Sequence, residues 1–501
     1  MMKNILLILC DQLSATALSA YGNADSRTPH IDELAKNSAI LEHAYTPCPL
    51  CQPARASFWS SRYPHQTRIR TNEKQLGFPA LSESIPTLGD CFSSSGYECV
   101  HFGKTHDYGS LRGFTVVPDL EIKTRRTHPA IKFDYETFKD IDTTQKVTAY
   151  LRSKEAENTA ARPKQNARTP FLAVADLQNP HNICAYIGEK EHSDPDFDTR
   201  GLPLPPLPEN FDCSDLPNRP PFIQYLCCAN RRQRQVSHWD DTDFRRDLYA
   251  YYYYLEMADR QVGEILSALA GSGHAEDTLV VFFADHGEGM GAHHLVTKYG
   301  TFYEETNRVP FFFSGPGITP GRIDGVASLL DLMPTLLEYA GIKAPEGMEG
   351  HSLMDCLNPA LVSDTGAAAS LAFHASSISP RTTGQSYAAG EWHDEFSGYT
   401  VPGRMICDQQ YKYICYREPD SEELYSMESD RLEQKNLAGQ AKYRPVLDHY
   451  RRRLAEHVTR TKDDFFTLTA NYKPFYRCHP LGYSFHEGPS AVEIYASGGI
   501  S

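Results

Sequence analysis

The sequence predicts an α/β protein whose main domain is a large, mostly parallel β-sheet flanked by helices, followed by a smaller C-terminal domain. Three short apolar runs, at 5–9, 170–176 and 278–284, are nearly continuous, which is typical of parallel strands covered on both faces. Each run leads into a polar cluster, as strands do at the sheet edge where α/β proteins bind ligands. An amphipathic segment at 241–270 has the length and pattern of a helix.

The remaining elements are predicted from the same signals. Pro29, followed by acidic residues, indicates a helix start within 28–35. The tyrosine run at 251–254, inside the long helix, suits packing better than stacking against a sugar. The polar segment 107–168 is too weakly patterned to assign. Further predictions are helices at 88–95 and 328–338 and strands at 97–102 and 309–314.

A change of composition marks the end of the main domain. Residues 363–392 are rich in alanine, serine and glycine. We therefore place a boundary near residue 380, which gives a large α/β domain at 1–380 and a smaller domain at 381–501. With 501 residues, 41% of them hydrophobic, the chain is long enough to bury a large core.

Charge and cysteine content exclude some classes of partner and compartment. The formal net charge of −15 argues against a nucleic-acid or anionic-membrane partner, and an anionic substrate would need a locally basic pocket. The first apolar run is short, ends at Asp11 and lacks a small-residue cleavage site, so we predict a strand and a cytoplasmic protein rather than a signal peptide. No stretch is long enough to span a bilayer. The 13 cysteines are scattered without framework spacing, which favours reduced thiols.

The most informative stretch is the pentapeptide Cys-Gln-Pro-Ala-Arg at 51–55. Proline has a preset φ and no N–H to lose, so we expect Pro53 to open a helix and to place Cys51 just ahead of its N-terminus, where negative charge is favoured. Arg55, one turn further on, is able to point back to the same place. Two other interpretations fit: a buried, unreactive cysteine, and a redox or half-zinc pair with Cys48, for which no second C-x-x-C exists.

Polar side chains that follow predicted strands supply further candidates. Taken alone, each is as readily an ordinary strand-end or loop residue. Lys104 and His106 are two residues apart on extended chain, so both side chains point the same way and could address one anion. In chain order the candidates are Asp11, Gln12, Lys104, His106, His181, Asp285, His286 and Lys298.

The pentapeptide at 51–55 resembles the signature of type I sulfatases, Cys-x-Pro-(Ser or Ala)-Arg with a second arginine seven positions later, here Arg62. The Gly-Lys-x-His at 103–106 and the strand–Asp–His–Gly at 278–287 are also similar to that family. At 59–61 the chain has Trp-Ser-Ser where the family more often has Leu-Thr-Gly. The resemblance covers most of the chain and implies the sulfatase fold of the alkaline-phosphatase superfamily, with a small C-terminal α+β domain.

The resemblance also implies a modified nucleophile and a metal. In the family the cysteine is oxidised to formylglycine by a maturation enzyme, so we expect that enzyme to be a partner and Cys51 to carry the modification. Mostly oxygen ligands favour Ca²⁺, with Mg²⁺ or Mn²⁺ as alternatives. Gln12 and His286 stand where many members have Asp and Asn, a variant also found in phosphonate monoester hydrolases and in some glycan sulfatases. The implied metal set is Asp11, Gln12, Cys51, Asp285 and His286, and the implied catalytic set is Cys51, Arg55, Lys104, His106, His181 and Lys298.

The mechanism that the resemblance implies is covalent catalysis on a sulfate ester. The metal would activate one hydroxyl of the hydrated aldehyde, which attacks sulfur while Lys104, Lys298 and His181 neutralise the growing charge. His181 or Lys298 would protonate the departing oxygen. His106 would act as base when the second hydroxyl expels sulfate, and Arg55 would orient and balance charge at the nucleophile. The expected substrate is a small-molecule or oligosaccharide sulfate ester, with a sulfated carbohydrate favoured.

Two other functions stay open at the level of the sequence. The same machinery could hydrolyse phosphonate or phosphate esters, which the Gln12 and His286 variant allows. A non-catalytic binding protein in which Cys51 stays a thiol is disfavoured, because every expected charged position is filled.

Overall fold

The structure of the chain is a computed structural model. The residues that it describes are 3–72, 79–121, 135–159, 169–190, 203–212, 218–229, 233, 235–236, 238–298, 300–359, 381–393, 401–418 and 421–470. Within them the chain forms one large and one small β-sheet.

The large sheet has nine strands: β1 (Asn4–Cys10), β2 (Ala39–Tyr45), β3 (Glu98–Gly103), β4 (Thr115–Pro118), β5 (Phe171–Leu177), β6 (Thr278–Ala284), β7 (Phe311–Ser314), β8 (Gly321–Ser328) and β9 (Arg381–Thr382). Their order across the sheet is β4-β3-β5-β1-β6-β7-β2-β8-β9. All neighbours pair in parallel except β7, which runs antiparallel to β6 and β2. The predicted mostly parallel α/β sheet is therefore confirmed.

The three apolar runs of the sequence form the centre of this sheet. β1 lies between β5 and β6, with Leu7 opposite Val174 on one side and Val281 on the other. All three strands are buried along their full length. Continuous hydrophobicity therefore identified central parallel strands correctly.

The helices are Pro29–Lys36, Cys51–Ser60, Pro64–Thr67, Leu88–Ser94, Tyr135–Thr159, Ile183–Lys190, Pro221–Ala229, Asp241–Gly271, Glu304–Asn307, Leu332–Ala340, Met354–Leu357 and Arg444–Thr461. In the longest, the side chain of the N-cap Asp240 accepts a hydrogen bond from the Asp243 N–H, which satisfies one of the helix's unpaired donors. Tyr251 and Tyr254 of the tyrosine run are buried, so the packing interpretation is confirmed.

The segment 107–168, which the sequence left unassigned, contains β4 and the helix Tyr135–Thr159. The sequence pattern does not predict this helix, because part of its buried face is polar. Asp140 and Thr144 are buried there beside the apolar Val147. A stripe of mixed polarity gives no clear hydrophobic period, so the pattern did not predict a helix.

The small sheet is antiparallel and lies in the C-terminal part of the chain. Its strands, in spatial order, are β10 (Ala388–Trp392), β11 (Gly403–Cys407), β12 (Tyr411–Tyr416) and β13 (Glu422–Ser426). Lys412 on β12 reaches across to Glu304 of the large domain, whose Oε1 lies 2.9 Å from its Nζ, and the same Nζ lies 2.7 Å from Oε1 of Glu433, which follows the small sheet in the chain. A buried ammonium between two carboxylates ties the small sheet to the large domain.

The predicted boundary near residue 380 stays a prediction, because residues 360–380 lie outside the described residues. The next described strand, β9, still pairs with β8 of the large sheet, and the small sheet begins at Ala388. Among the helices described, none combines the length and the apolar character needed to cross a membrane.

Candidate active site

The carboxyl ends of four parallel strands bring the predicted site residues to one edge of the large sheet. Asp11 follows β1, Lys104 follows β3 and Asp285 follows β6, while His181 lies four residues beyond β5. These strands are neighbours in the order β3-β5-β1-β6, although their order along the chain is different. Side chains up to 274 residues apart in sequence therefore converge, as expected of the ligand-binding edge of an α/β sheet.

Cys51 is the first residue of the helix Cys51–Ser60, whereas the sequence predicted that it lies just ahead of the helix. Pro53 sits in the first turn, where its missing N–H removes no helical hydrogen bond. The Cys51 side chain is buried, with Sγ 3.1 Å from His286 Nε2 and 3.4 Å from Lys298 Nζ. The helix start thus aims residue 51 at the ends of the strands.

The surroundings of Cys51 favour a negative charge. Burial and the Asp11 carboxylate raise the pKa of the thiol, but Lys298, His286 and Lys104 outweigh them and hold this pKa well below its usual value. A site that stabilises an anion at position 51 is also suited to an oxygen nucleophile formed there.

Asp11, Cys51, Asp285 and His286 form a candidate metal site. Each offers a ligand atom within 4.8 Å of those of the other three, and all four residues are buried. His286 Nδ1 lies 2.9 Å from the Gly287 carbonyl oxygen, and a hydrogen bond donated there leaves the lone pair of Nε2 to face the site. Two carboxylates and an imidazole nitrogen in this arrangement fit a divalent cation.

Gln12 places a side-chain oxygen at the edge of this set. Its backbone has φ +66°, and its N–H donates to Asp285 Oδ1 at 3.1 Å. Its Oε1 accepts a hydrogen bond from Lys298, and its Nε2 donates one to Glu288. The amide oxygen of Gln12 therefore faces the cationic side of the site.

Arg55 is the shared partner of three buried carboxylates. Its Nε donates to Asp285 Oδ2 at 2.9 Å, its Nη2 to Asp11 Oδ2 at 2.9 Å, and its Nη1 to Asp176 Oδ2 at 2.5 Å. The planar guanidinium suits such divergent hydrogen bonding, which a lysine could not reproduce. The charge that Arg55 balances most directly is therefore that of the carboxylates beside residue 51.

Two lysines bracket the candidate nucleophile. Lys104 Nζ donates to Asp11 Oδ2 at 2.5 Å, and Lys298 Nζ reaches both Cys51 and Gln12. Burial lowers the pKa of Lys104, but Asp11 and Cys51 raise it by more. The pKa of Lys104 therefore lies above its usual value, and the side chain stays cationic. Two ammonium groups therefore lie beside residue 51, where an anionic ester would need positive charge.

The two candidate histidines, His106 and His181, lie close to Cys51 and Asp11. The pKa of His106 is lowered, mainly because burial disfavours the imidazolium. His181 lies near enough to Asp11 to help lower the pKa of that carboxyl. Asp140 holds the loop before His181, since its carboxylate accepts from the N–H groups of residues 178 and 179. Both imidazoles therefore lie near the candidate nucleophile or the candidate metal ligands.

Sequence reasoning missed two charged residues of the site. Asp176, the penultimate residue of the otherwise apolar strand β5, binds Arg55, and its Oδ2 lies 3.1 Å from His101 Nε2. Glu288 is buried and accepts from Gln12. A charge closing an apolar strand was an available signal for Asp176, whereas the role of Glu288 depends on contacts that spacing does not reveal.

This chain is similar to known proteins in both sequence and structure. A model of the sulfatase family matches residues 3–342. A Delta 4,5-hexuronate-2-O-sulfatase of Bacteroides thetaiotaomicron is 41% identical over 495 residues, which is 98% of this chain and 96% of that protein. The solved structure of a 2-O GAG sulfatase has a TM-score of 0.83 at 40% identity, over 99% of this chain and 100% of that one. The phosphonate monoester hydrolase of Agrobacterium radiobacter has a TM-score of 0.70 at 20% identity, over 93% of this chain and 97% of that one.

Proposed function

Since this chain belongs to the sulfatase family and is a sulfuric ester hydrolase, we propose that its substrate is a hexuronate that carries a sulfate ester at O2. The observation that carries this proposal is the similarity to the hexuronate 2-O-sulfatase over almost the whole of both chains. A cytoplasmic location, which the sequence predicted, remains a prediction.

The nucleophile in this proposal derives from Cys51. Once the residue is converted to formylglycine, its hydrated aldehyde supplies an oxygen nucleophile for sulfur and later releases sulfate by collapse back to the aldehyde. The low pKa of the thiol supports this assignment, because Lys298 and Lys104, which help to lower it, would also stabilise an oxyanion at residue 51. The maturation enzyme is the partner that the modification requires.

The other side chains around residue 51 have separate roles in the proposed reaction. Lys104 and Lys298 are placed to hold the sulfate and to neutralise the charge that builds on its oxygens in the transition state. His181 or Lys298 protonates the departing sugar oxygen. His106, whose pKa is lowered, is suited to accept the proton when the aldehyde re-forms. Arg55 keeps Asp11 and Asp285 in place.

A divalent ion completes the proposed site. Asp11, Asp285, His286 and residue 51 would hold it, with the Gln12 oxygen at the edge of the set. When bound, such an ion supplies positive charge that lowers the pKa of a hydroxyl at residue 51. Ca²⁺ is favoured by the mostly oxygen ligands, and the His286 nitrogen keeps Mn²⁺ and Mg²⁺ as alternatives.

Removal of divalent ions is expected to abolish turnover and to destabilise the fold. Without the ion, the buried carboxylates of Asp11 and Asp285 are balanced only by Arg55 and Lys104. They lose the two positive charges of the metal, which should lower the free energy of unfolding. Ion at 100 times its dissociation constant would add about 3 kcal/mol to the free energy of unfolding. Thermal unfolding and turnover after chelation, followed by separate addition of Ca²⁺, Mn²⁺ and Mg²⁺, would identify the ion. Unchanged turnover and stability after complete chelation would contradict the metal site.

Hydrolysis of phosphonate or phosphate esters is the second candidate. Gln12 and His286 are compatible with it, because the same pair occurs in phosphonate monoester hydrolases as well as in some glycan sulfatases. The likeness to the Agrobacterium enzyme adds the shared fold alone. Comparing turnover of 4-nitrophenyl sulfate and of a phenyl phosphonate monoester separates the two candidates, and a strong preference for the phosphonate would overturn the first.

The substrate itself is tested with defined sulfated saccharides. An unsaturated hexuronate 2-O-sulfate is expected to have a kcat/KM about 100-fold above that of a glucosamine 6-O-sulfate, because polar groups built for one sugar are left unpaired by another. Sulfate release measured by ion chromatography gives the comparison directly. A preference for the 6-O-sulfate would reject the hexuronate assignment while leaving the sulfatase chemistry intact.

A further inference from the structure

Glu288 is a buried carboxylate that neither the catalytic nor the metal set of the proposed function includes. It lies four residues after the end of β6, and its side chain is almost fully buried. One carboxylate oxygen accepts a hydrogen bond from Gln12 Nε2, and the other accepts one from the backbone N–H of Thr297. A single carboxylate thus links a candidate metal ligand to the residue that precedes Lys298.

The contacts of Gln12 determine which end of its amide faces the site. The Nε2 group donates hydrogen bonds, so it must turn toward acceptors, and it donates to the Glu288 carboxylate and, at 3.4 Å, to the Cys184 sulfur. The Oε1 atom then faces Lys298, whose ammonium donates to it and also lies 3.4 Å from Cys51 Sγ. The Glu288 acceptor at the nitrogen end and the Lys298 donor at the oxygen end therefore favour the same orientation of the Gln12 amide. With the amide reversed, its NH₂ group would face the Lys298 ammonium and any bound cation.

We propose that Glu288 is a positioning residue, which fixes the Gln12 side chain with its oxygen toward the metal and holds the backbone of the Lys298 loop through Thr297. The inference rests on the proposed function, because it concerns the same metal site. It also gives a reason for the amide: a carboxylate at position 12 would face the buried carboxylate of Glu288, whereas an amide donates to it. Gln12 and Glu288 therefore act as a pair.

The proposed pairing of Gln12 and Glu288 is tested by exchanging the amide and the carboxylate between the two positions. In Glu288→Gln one side-chain acceptor must serve both Gln12 Nε2 and the Thr297 N–H, so the Gln12 amide is no longer held in one orientation. We expect the Ca²⁺ affinity, measured by calorimetry without substrate, to fall 10- to 100-fold, the range found when groups that orient metal ligands are removed. Gln12→Glu alone should also weaken binding, because two carboxylates then meet in a buried place. The double variant Gln12→Glu/Glu288→Gln restores one donor and one acceptor, and we expect its affinity to return to within about threefold of the wild type, clearly above both single variants.

Asp331→Asn is the matched control. Asp331 is also buried, and its carboxylate likewise accepts hydrogen bonds from a glutamine Nε2 and a backbone N–H, but these belong to Gln385 and His351 rather than to Gln12 and Thr297. This variant should bind Ca²⁺ as the wild type does. Equal affinity in wild type and Glu288→Gln, or a double variant that binds no better than the single ones, would overturn the role of Glu288. A wild-type chain that binds no divalent ion would overturn the metal site itself, and the role of Glu288 with it.

Discussion

Replacing Cys51 by alanine is expected to reduce turnover of every sulfate ester to the background rate and to leave the fold intact. The proposed reaction passes through a covalent bond to residue 51, and loss of a nucleophile commonly lowers kcat by about 10⁴-fold or more. The side chain is small and buried, so we expect the free energy of unfolding to change by about 1 kcal/mol or less. Turnover and urea unfolding of the purified variant measure both quantities.

Cys48→Ala is the matched control for this substitution. Cys48 is equally buried and lies three residues earlier in the chain. If residue 51 alone carries the reaction, the control should keep turnover within a few fold of the wild type. Equal loss in the two variants would instead support a functional Cys48–Cys51 pair, and retained turnover in Cys51→Ala would refute the nucleophile.

Replacing Arg55 by alanine is expected to destabilise the protein and to abolish turnover. The substitution leaves Asp11, Asp176 and Asp285 buried without the cation that they share. Removing one partner from a buried ion pair costs about 3–5 kcal/mol, because the remaining charge stays desolvated. Arg55→Lys should recover little of the stability, since one ammonium cannot reach three carboxylates with the geometry of a guanidinium.

Arg62→Ala is the comparison for Arg55. Arg62 is half-buried and donates to the carbonyl oxygen of Glu346, so its loss leaves no buried charge unpaired. Urea unfolding should show a change of about 1 kcal/mol or less for this variant. A similarly small change for Arg55→Ala would mean that the three carboxylates do not depend on the guanidinium.

Much of the fold was predictable because the sheet is buried. The runs at 5–9 and 278–284 are apolar throughout, and they form β1 and β6 at the centre of the sheet. The antiparallel direction of β7 was not predictable, since a short apolar strand, here three buried phenylalanines and a serine, has no sequence signal for its direction. The helix Tyr135–Thr159 was missed because polar side chains form part of its buried face.

The candidate site was predictable where a motif marked it. Asp11, Cys51, Asp285 and His286 were singled out from the sequence, and the structure brings their side chains together; their roles remain proposals. Asp176 and Glu288 were not found, because their importance lies in contacts with Arg55 and Gln12 that depend on which strands are neighbours. Spacing along the chain identifies reactive residues more readily than the residues that hold them in place.

The oxidation state of residue 51 is the most direct test of the proposed formylglycine mechanism. Mass spectrometry of the peptide that contains Cys51, taken from active protein made in its native host, should show an aldehyde that reacts with a hydrazide probe and not with a thiol alkylating reagent. An unmodified thiol at this position in fully active enzyme would contradict the proposal that sulfate esters are cleaved through formylglycine.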